Sequence, residues 1–207
     1  MPATGWNPSP FPVSRPATRR AAASASPITS QRSLAPLPGP SSRSYWSSTV
    51  ARARWPAGVA DRLPEGLRRI VYVDSGPLAD GMAINPDLDP DLDEMPLPSW
   101  ADLEAGGSSL EGLDEALLAE FRRRAVPHPA GPARDHIRLT NPERRRVPVT
   151  MITTSFRAAD VARTAKEGHP FFAELTHLQV DYVDLPTGHW PMWSRPTDLA
   201  TALGGQV

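Results

Sequence analysis

Seven consecutive residues, Val147-Pro148-Val149-Thr150-Met151-Ile152-Thr153, narrow the fold of this chain more than any other stretch. Apolar or β-branched side chains fill nearly every position, and polar residues bound the run on both sides. A strand of this kind is buried on both faces, as in parallel sheets covered by helices. Parallel neighbours need crossovers long enough to hold a helix. Two further strands are expected: Arg69-Ile70-Val71-Tyr72-Val73-Asp74, apolar and ending in a carboxylate, and the alternating Leu178-Gln179-Val180-Asp181-Tyr182-Val183. Helices are expected over residues 158–167, closed by Gly168, and over 171–176. A last helix opens at Pro196, runs through Leu203 and ends at Gly204.

Between the first two strands lies a long insertion. Residues 80–98 are rich in Pro and Asp and read as loop. Ser99 with Asp102 resembles a capping box that starts a short helix ending at Gly106-Gly107. Ser109 is read as the cap of a stronger helix, with Leu110, Leu113, Leu117 and Phe121 at three- and four-residue spacing. Arg122, Arg123 and Arg124 complement the dipole of its last turn, and Pro127, Pro129 and Pro132 end it. The predicted class is α/β: a doubly wound parallel sheet with a helical insertion. Three strands cannot cover both faces of such a sheet, so the sheet reads as incomplete.

Composition divides the chain near residue 58. Residues 1–60 hold seven arginines, ten of the 25 prolines and no acidic residue, the first being Asp61. The remainder carries all 23 acidic residues against 15 basic ones, a net charge of −8. Residues 1–57 show no helical or alternating apolar period and read as a disordered segment. Three origins fit it. It has the Arg- and Ser-rich, acid-poor composition of a transit peptide. It is also a dilute basic tail suited to an acidic partner. Third, it matches an out-of-frame translation of GC-rich coding sequence, in line with one lysine, Lys166, against 21 arginines. Read one frame over, the codons from Ser44 to Trp55 permit Val-Leu-Val-Val-His-Ser-Gly-Ala-Gly, whose serine would straddle Thr49 and Val50.

The segment most telling of chemistry is Gly188-His189-Trp190-Pro191-Met192-Trp193. It sets one histidine in a loop just past a strand, where ligands collect in sheets of this class. His128, His136, His169 and His177 lie in Pro-rich loops or at helix ends without metal-ligand spacing. With no cysteine there is no disulfide framework, thiolate metal site or cysteine nucleophile. No cofactor and no metal are expected. Net charge of −1 and the lack of a long apolar run predict neither a nucleic-acid nor a membrane partner. The compartment expected is cytoplasmic, against which the transit-like composition stands as the alternative.

Gly188 to Pro196 resembles the catalytic-histidine segment of the α/β-hydrolase superfamily, and Leu67-Arg68-Arg69-Ile70-Val71-Tyr72-Val73-Asp74 resembles its sixth strand. The resemblance covers about residues 58–203. It implies strands six to eight of that fold, with a lid of about residues 81–145 between the sixth and seventh. It implies general-base catalysis by His189 on an ester-like small molecule. Two carboxylates are candidates for the acid. Asp160 lies beyond the seventh strand, where most members keep theirs. Asp74 follows the sixth strand, the position used by others, including haloalkane dehalogenases, and is preferred. Trp100, Leu113, Leu117, Phe121, Trp190 and Trp193 are expected to line the pocket.

The chain departs from the family at the nucleophile. No Gly-x-Ser-x-Gly elbow occurs anywhere in the sequence. The resemblance therefore implies a hydrolase inactive as written. The rival reading is a non-catalytic binding or interaction protein built from part of a hydrolase fold.

Overall fold

The computed structural model describes residues 54–206 and the backbone of a strand at Ser44–Ser48. Four parallel strands form the main sheet: β1 (Ser44–Ser48), β2 (Leu67–Val73), β5 (Val149–Thr153) and β6 (Val180–Asp184), in the order β1-β2-β5-β6. Every residue of β5 is buried, as its run of apolar and β-branched residues leads one to expect, and it holds the interior position between β2 and β6.

Alternation along the strands feeds two cores. Ile70, Tyr72, Val149 and Met151 meet Ala60 of α1 (Arg54–Arg62), Val161 and Ala165 of α5 (Ala158–Lys166), and Leu175 of the 3-10 segment Pro170–His177. Val71, Val73 and Ile152 point to the opposite face, against Leu185 and Leu199, the latter on α7 (Pro196–Gly204). Helices thus cover both faces, the doubly wound arrangement. Thr150 would be a liability at zero exposure, but its hydroxyl donates to Gln206 Oε1 at 2.8 Å and accepts from Arg69 at 2.6 Å.

The connection from β2 to β5 carries the insertion. It contains α2 (Trp100–Ala105), α3 (Glu115–Arg124), α4 (Ala130–Arg134) and a two-residue antiparallel ribbon of β3 (Glu94–Met95) with β4 (His128–Pro129). Ser99 caps α2, accepting from the Asp102 amide at 3.1 Å. A short helix α6 (Pro191–Ser194) precedes α7.

Two sequence expectations change. Ordered structure begins before residue 58: β1 pairs in parallel with β2 inside the stretch read as disordered, and α1 starts at Arg54. In Ser44-Tyr45-Trp46-Ser47-Ser48 only Tyr45 and Trp46 favour a strand, and the serines around them give no apolar or alternating run to announce one; the segment pairs in parallel with β2. The readings of residues 1–43 and 49–53, including the serine straddling Thr49 and Val50, lie outside the described residues. Second, α3 is capped by Asp114, whose carboxylate accepts from the Leu117 amide at 2.8 Å. Gly112, at φ +82°, turns the chain there, and Ser109, Leu110 and Leu113 fall in the turn before the helix.

Candidate functional site

The C-terminal ends of β2, β5 and β6 converge. β2 ends at Val73, and Asp74 follows in the left-handed region at φ +43°, the only non-glycine there among the described residues. Aspartate tolerates this conformation better than most residues, and the surroundings hold it there. Its amide donates to Ile152 O at 2.8 Å, carrying the ladder one step past the strand. Its carboxylate turns to the end of β5. Oδ1 accepts the amides of Thr154 and Ser155, each at 2.9 Å. Oδ2 accepts the Ser155 hydroxyl at 2.7 Å and meets His189 Nδ1 at 2.7 Å.

The Asp74 side chain is 3% exposed and that of His189 15%. Burial pushes the Asp74 carboxyl up, but hydrogen bonds from His189 and Ser155 outweigh it and hold the group below its ordinary value. An ionised carboxylate only accepts, so Nδ1 carries the proton. The neutral ring then has its lone pair on Nε2.

His189 reaches this position through the loop after β6. The Leu185 amide donates to Thr153 O at 2.8 Å, and the Thr154 hydroxyl donates to Gly188 O at 3.0 Å. From the other side the insertion clasps the loop. The Gly188 amide donates to Glu111 O at 3.1 Å and the His189 amide to Ser109 O at 2.8 Å. A Cβ on Gly188 would stand 2.6 Å from both carbonyl oxygens. Glycine here permits close backbone approach.

Four of the six residues expected to line a pocket pack on one another beside His189. The Phe121 ring stacks on Trp193 (centroids 5.2 Å apart, 12° between planes). It meets Trp190 edge-on at 5.3 Å and Trp100 at 5.5 Å. Trp190 in turn stands edge-on to the His189 ring at 4.8 Å. Guanidinium groups cap the cluster, Arg122 over Trp100 at 4.4 Å and Arg124 over Trp193 at 5.8 Å. Leu113 and Leu117 are half-buried in the turn before α3 and in its first turn.

The second acid candidate is not brought to the histidine. Asp160 sits in the first turn of α5 and pairs with Arg163 at 2.8 Å. Sequence reasoning missed Thr154 and Ser155, which satisfy Asp74, and Ser109 and Glu111, which hold the Gly188-His189 backbone. The hydroxyl run Thr153-Thr154-Ser155 directly after a buried strand was the available signal for the first pair. Among the described residues, no group of three or more His, Asp or Glu side chains is placed to hold a metal ion.

No family model matches the chain, and no curated protein matches its sequence. Solved structures do. An extracellular α/β-hydrolase from a Paenibacillus species superposes with a TM-score of 0.59 at 16% identity, covering 80% of this chain and 72% of its own. An Arabidopsis methylesterase gives 0.53 at 16% identity over 82% of this chain and 70% of that one. A tomato methylketone synthase gives 0.54 at 13% identity over 82% and 72%. At such identities the likeness speaks to fold: the chain carries part of an α/β-hydrolase fold.

Proposed function

We propose that this chain presents the base of an α/β-hydrolase-type centre for a small ester-like molecule, with His189 as general base and Asp74 as the acid that orients it. The observation behind the reading is the 2.7 Å bond from His189 Nδ1 to a buried carboxylate at the C-terminal edge of a parallel sheet. In acyl transfer such a pair works twice. Nε2 takes the proton of an attacking hydroxyl and returns it to the departing alcohol, then repeats the exchange with water as attacker and the hydroxyl as leaving group. Asp74 faces the imidazolium formed each time.

The insertion is the natural lid, and its aromatic cluster beside His189 supports an apolar wall built from Trp100, Phe121, Trp190 and Trp193, with Leu113 and Leu117 adjoining. An ester is favoured because one of the similar structures is a methylesterase. Asp160, tied to Arg163, is not part of this proposal.

The base has no partner in the sequence. The sequence has no Gly-x-Ser-x-Gly elbow and so lacks the serine motif from which an acyl-enzyme is usually formed; on this reading the acyl-enzyme route is closed in the chain as written. The rate of 4-nitrophenyl butyrate cleavage tests this. Purified chain is expected to release nitrophenolate no faster than its His189→Ala variant. Saturable turnover that the substitution abolishes would overturn the inactivity and leave the base assignment standing. The same missing nucleophile favours, as a second reading, a pocket that binds such a molecule without converting it.

A further inference from the structure

Asp74 has to be held at an unusual backbone angle with its Oδ2 aimed at His189, and the structure divides that work between two strand ends. The Thr154 and Ser155 amides fix Oδ1. They leave the carboxylate free to pivot about that oxygen. The Ser155 hydroxyl removes the freedom, because it donates at 2.7 Å to the same Oδ2 that takes His189 Nδ1. We infer that Ser155 is a positioning residue for the His189–Asp74 pair, its hydroxyl locking the carboxylate plane so that Oδ2 faces the imidazole.

A structural hydroxyl could bond anywhere on the carboxylate; this one shares the functional oxygen. Ser155 is itself held, since its amide and its hydroxyl reach the two oxygens of one carboxylate and form a ring between neighbouring strand ends. The titratable group that meets Asp74 is His189, the remaining donors being amides and this hydroxyl. The hydroxyl also favours the ionised form of Asp74, which keeps the proton on Nδ1 and the lone pair on Nε2. The inference rests on the reading of His189 as the base, and it deepens that reading by adding a residue that never touches substrate.

Nuclear magnetic resonance separates the two claims without any turnover. The readouts are the ¹³C titration of the Asp74 carboxyl and the sharpness of the downfield His189 Nδ1 proton. In Ser155→Ala the Asp74 midpoint is expected to rise by about one pH unit, the scale of one lost hydrogen bond to a charged group. The Nδ1 proton is expected to broaden through solvent exchange. Ser155→Thr keeps the hydroxyl and is expected to match the parent in both. Ser155→Cys, close in volume but a weak donor, is expected to move with alanine and serves if the alanine chain folds poorly. An unmoved Asp74 midpoint, or a Nδ1 proton as sharp as the parent's, in the alanine or cysteine variant overturns the role of Ser155. A Nδ1 proton that stays sharp in Asp74→Ala, which removes the acceptor, instead overturns the His189–Asp74 pairing beneath it.

Discussion

At Gly188 a single hydrogen in place of a side chain decides whether the histidine loop and the insertion can meet. Two backbone carbonyls, of Ser109 and Glu111, occupy the space a Cβ would take, at 2.6 Å. Backbone has nowhere to rotate, so Gly188→Ala must push the two segments apart. Overpacking of this kind costs about 1–3 kcal/mol. The substitution is expected to lower the denaturant midpoint and to speed hydrogen exchange at the His189 amide, which donates to Ser109 O. The two partners of the 2.7 Å contact were legible at this scale. His189 stood in a loop after a strand, and Asp74 closed another. Ser155 was not legible, because a hydroxyl after a strand is common and only the fold brings it to a carboxylate 81 residues away.

Elements were legible in proportion to how much of their stability is local. The interior strand β5 announced itself through its run of apolar and β-branched residues, and α2 through its Ser99 cap. β1 did not, since two aromatic residues among three serines make no apolar or alternating run, and its pairing with β2 appears only in the fold. The N-terminus of α3 lies more than a turn beyond Ser109, because Ser109 and Asp114 are both good caps and Gly112 between them turns the chain before the second.

Charges inside an element junction were equally hidden. Glu174, on the 3-10 segment before β6, accepts from Arg144 at 3.0 Å and from Arg145 at 3.0 and 3.2 Å. The Arg144 and Glu174 side chains are 8% and 6% exposed, and Asp61 of α1 stands 3.9 Å from Arg144. Burial, then the nearby Glu174, pushes the Tyr72 hydroxyl well above its ordinary range, so the tyrosine stays neutral among these charges. Glu174→Gln would leave Arg144 buried without its main counter-charge, with its Nε already lacking a hydrogen-bond partner. A loss of about 3–5 kcal/mol is expected, read from urea unfolding. A change under about 1 kcal/mol would show that water already carries these charges.

For the molecule as a whole, chain order explains why the site needed the fold. Asp74 and His189 are 115 residues apart, with the insertion, two strands and α5 between them, yet parallel pairing of β2, β5 and β6 brings all three C-terminal ends to one edge. The doubly wound class was readable because parallel strands with helical crossovers admit few arrangements. The docking of the insertion on His189 was not, because Trp100, Phe121, Trp190 and Trp193 meet only once both segments are in place. What the sequence does state at this scale is that no Gly-x-Ser-x-Gly elbow accompanies the His189–Asp74 pair, and the proposed inactivity rests on that. Intact-protein mass spectrometry after incubation with a fluorophosphonate probe measures that directly. No mass increase is expected, whether or not His189 is replaced by alanine. Stoichiometric labelling of the parent chain that disappears in His189→Ala would contradict the account.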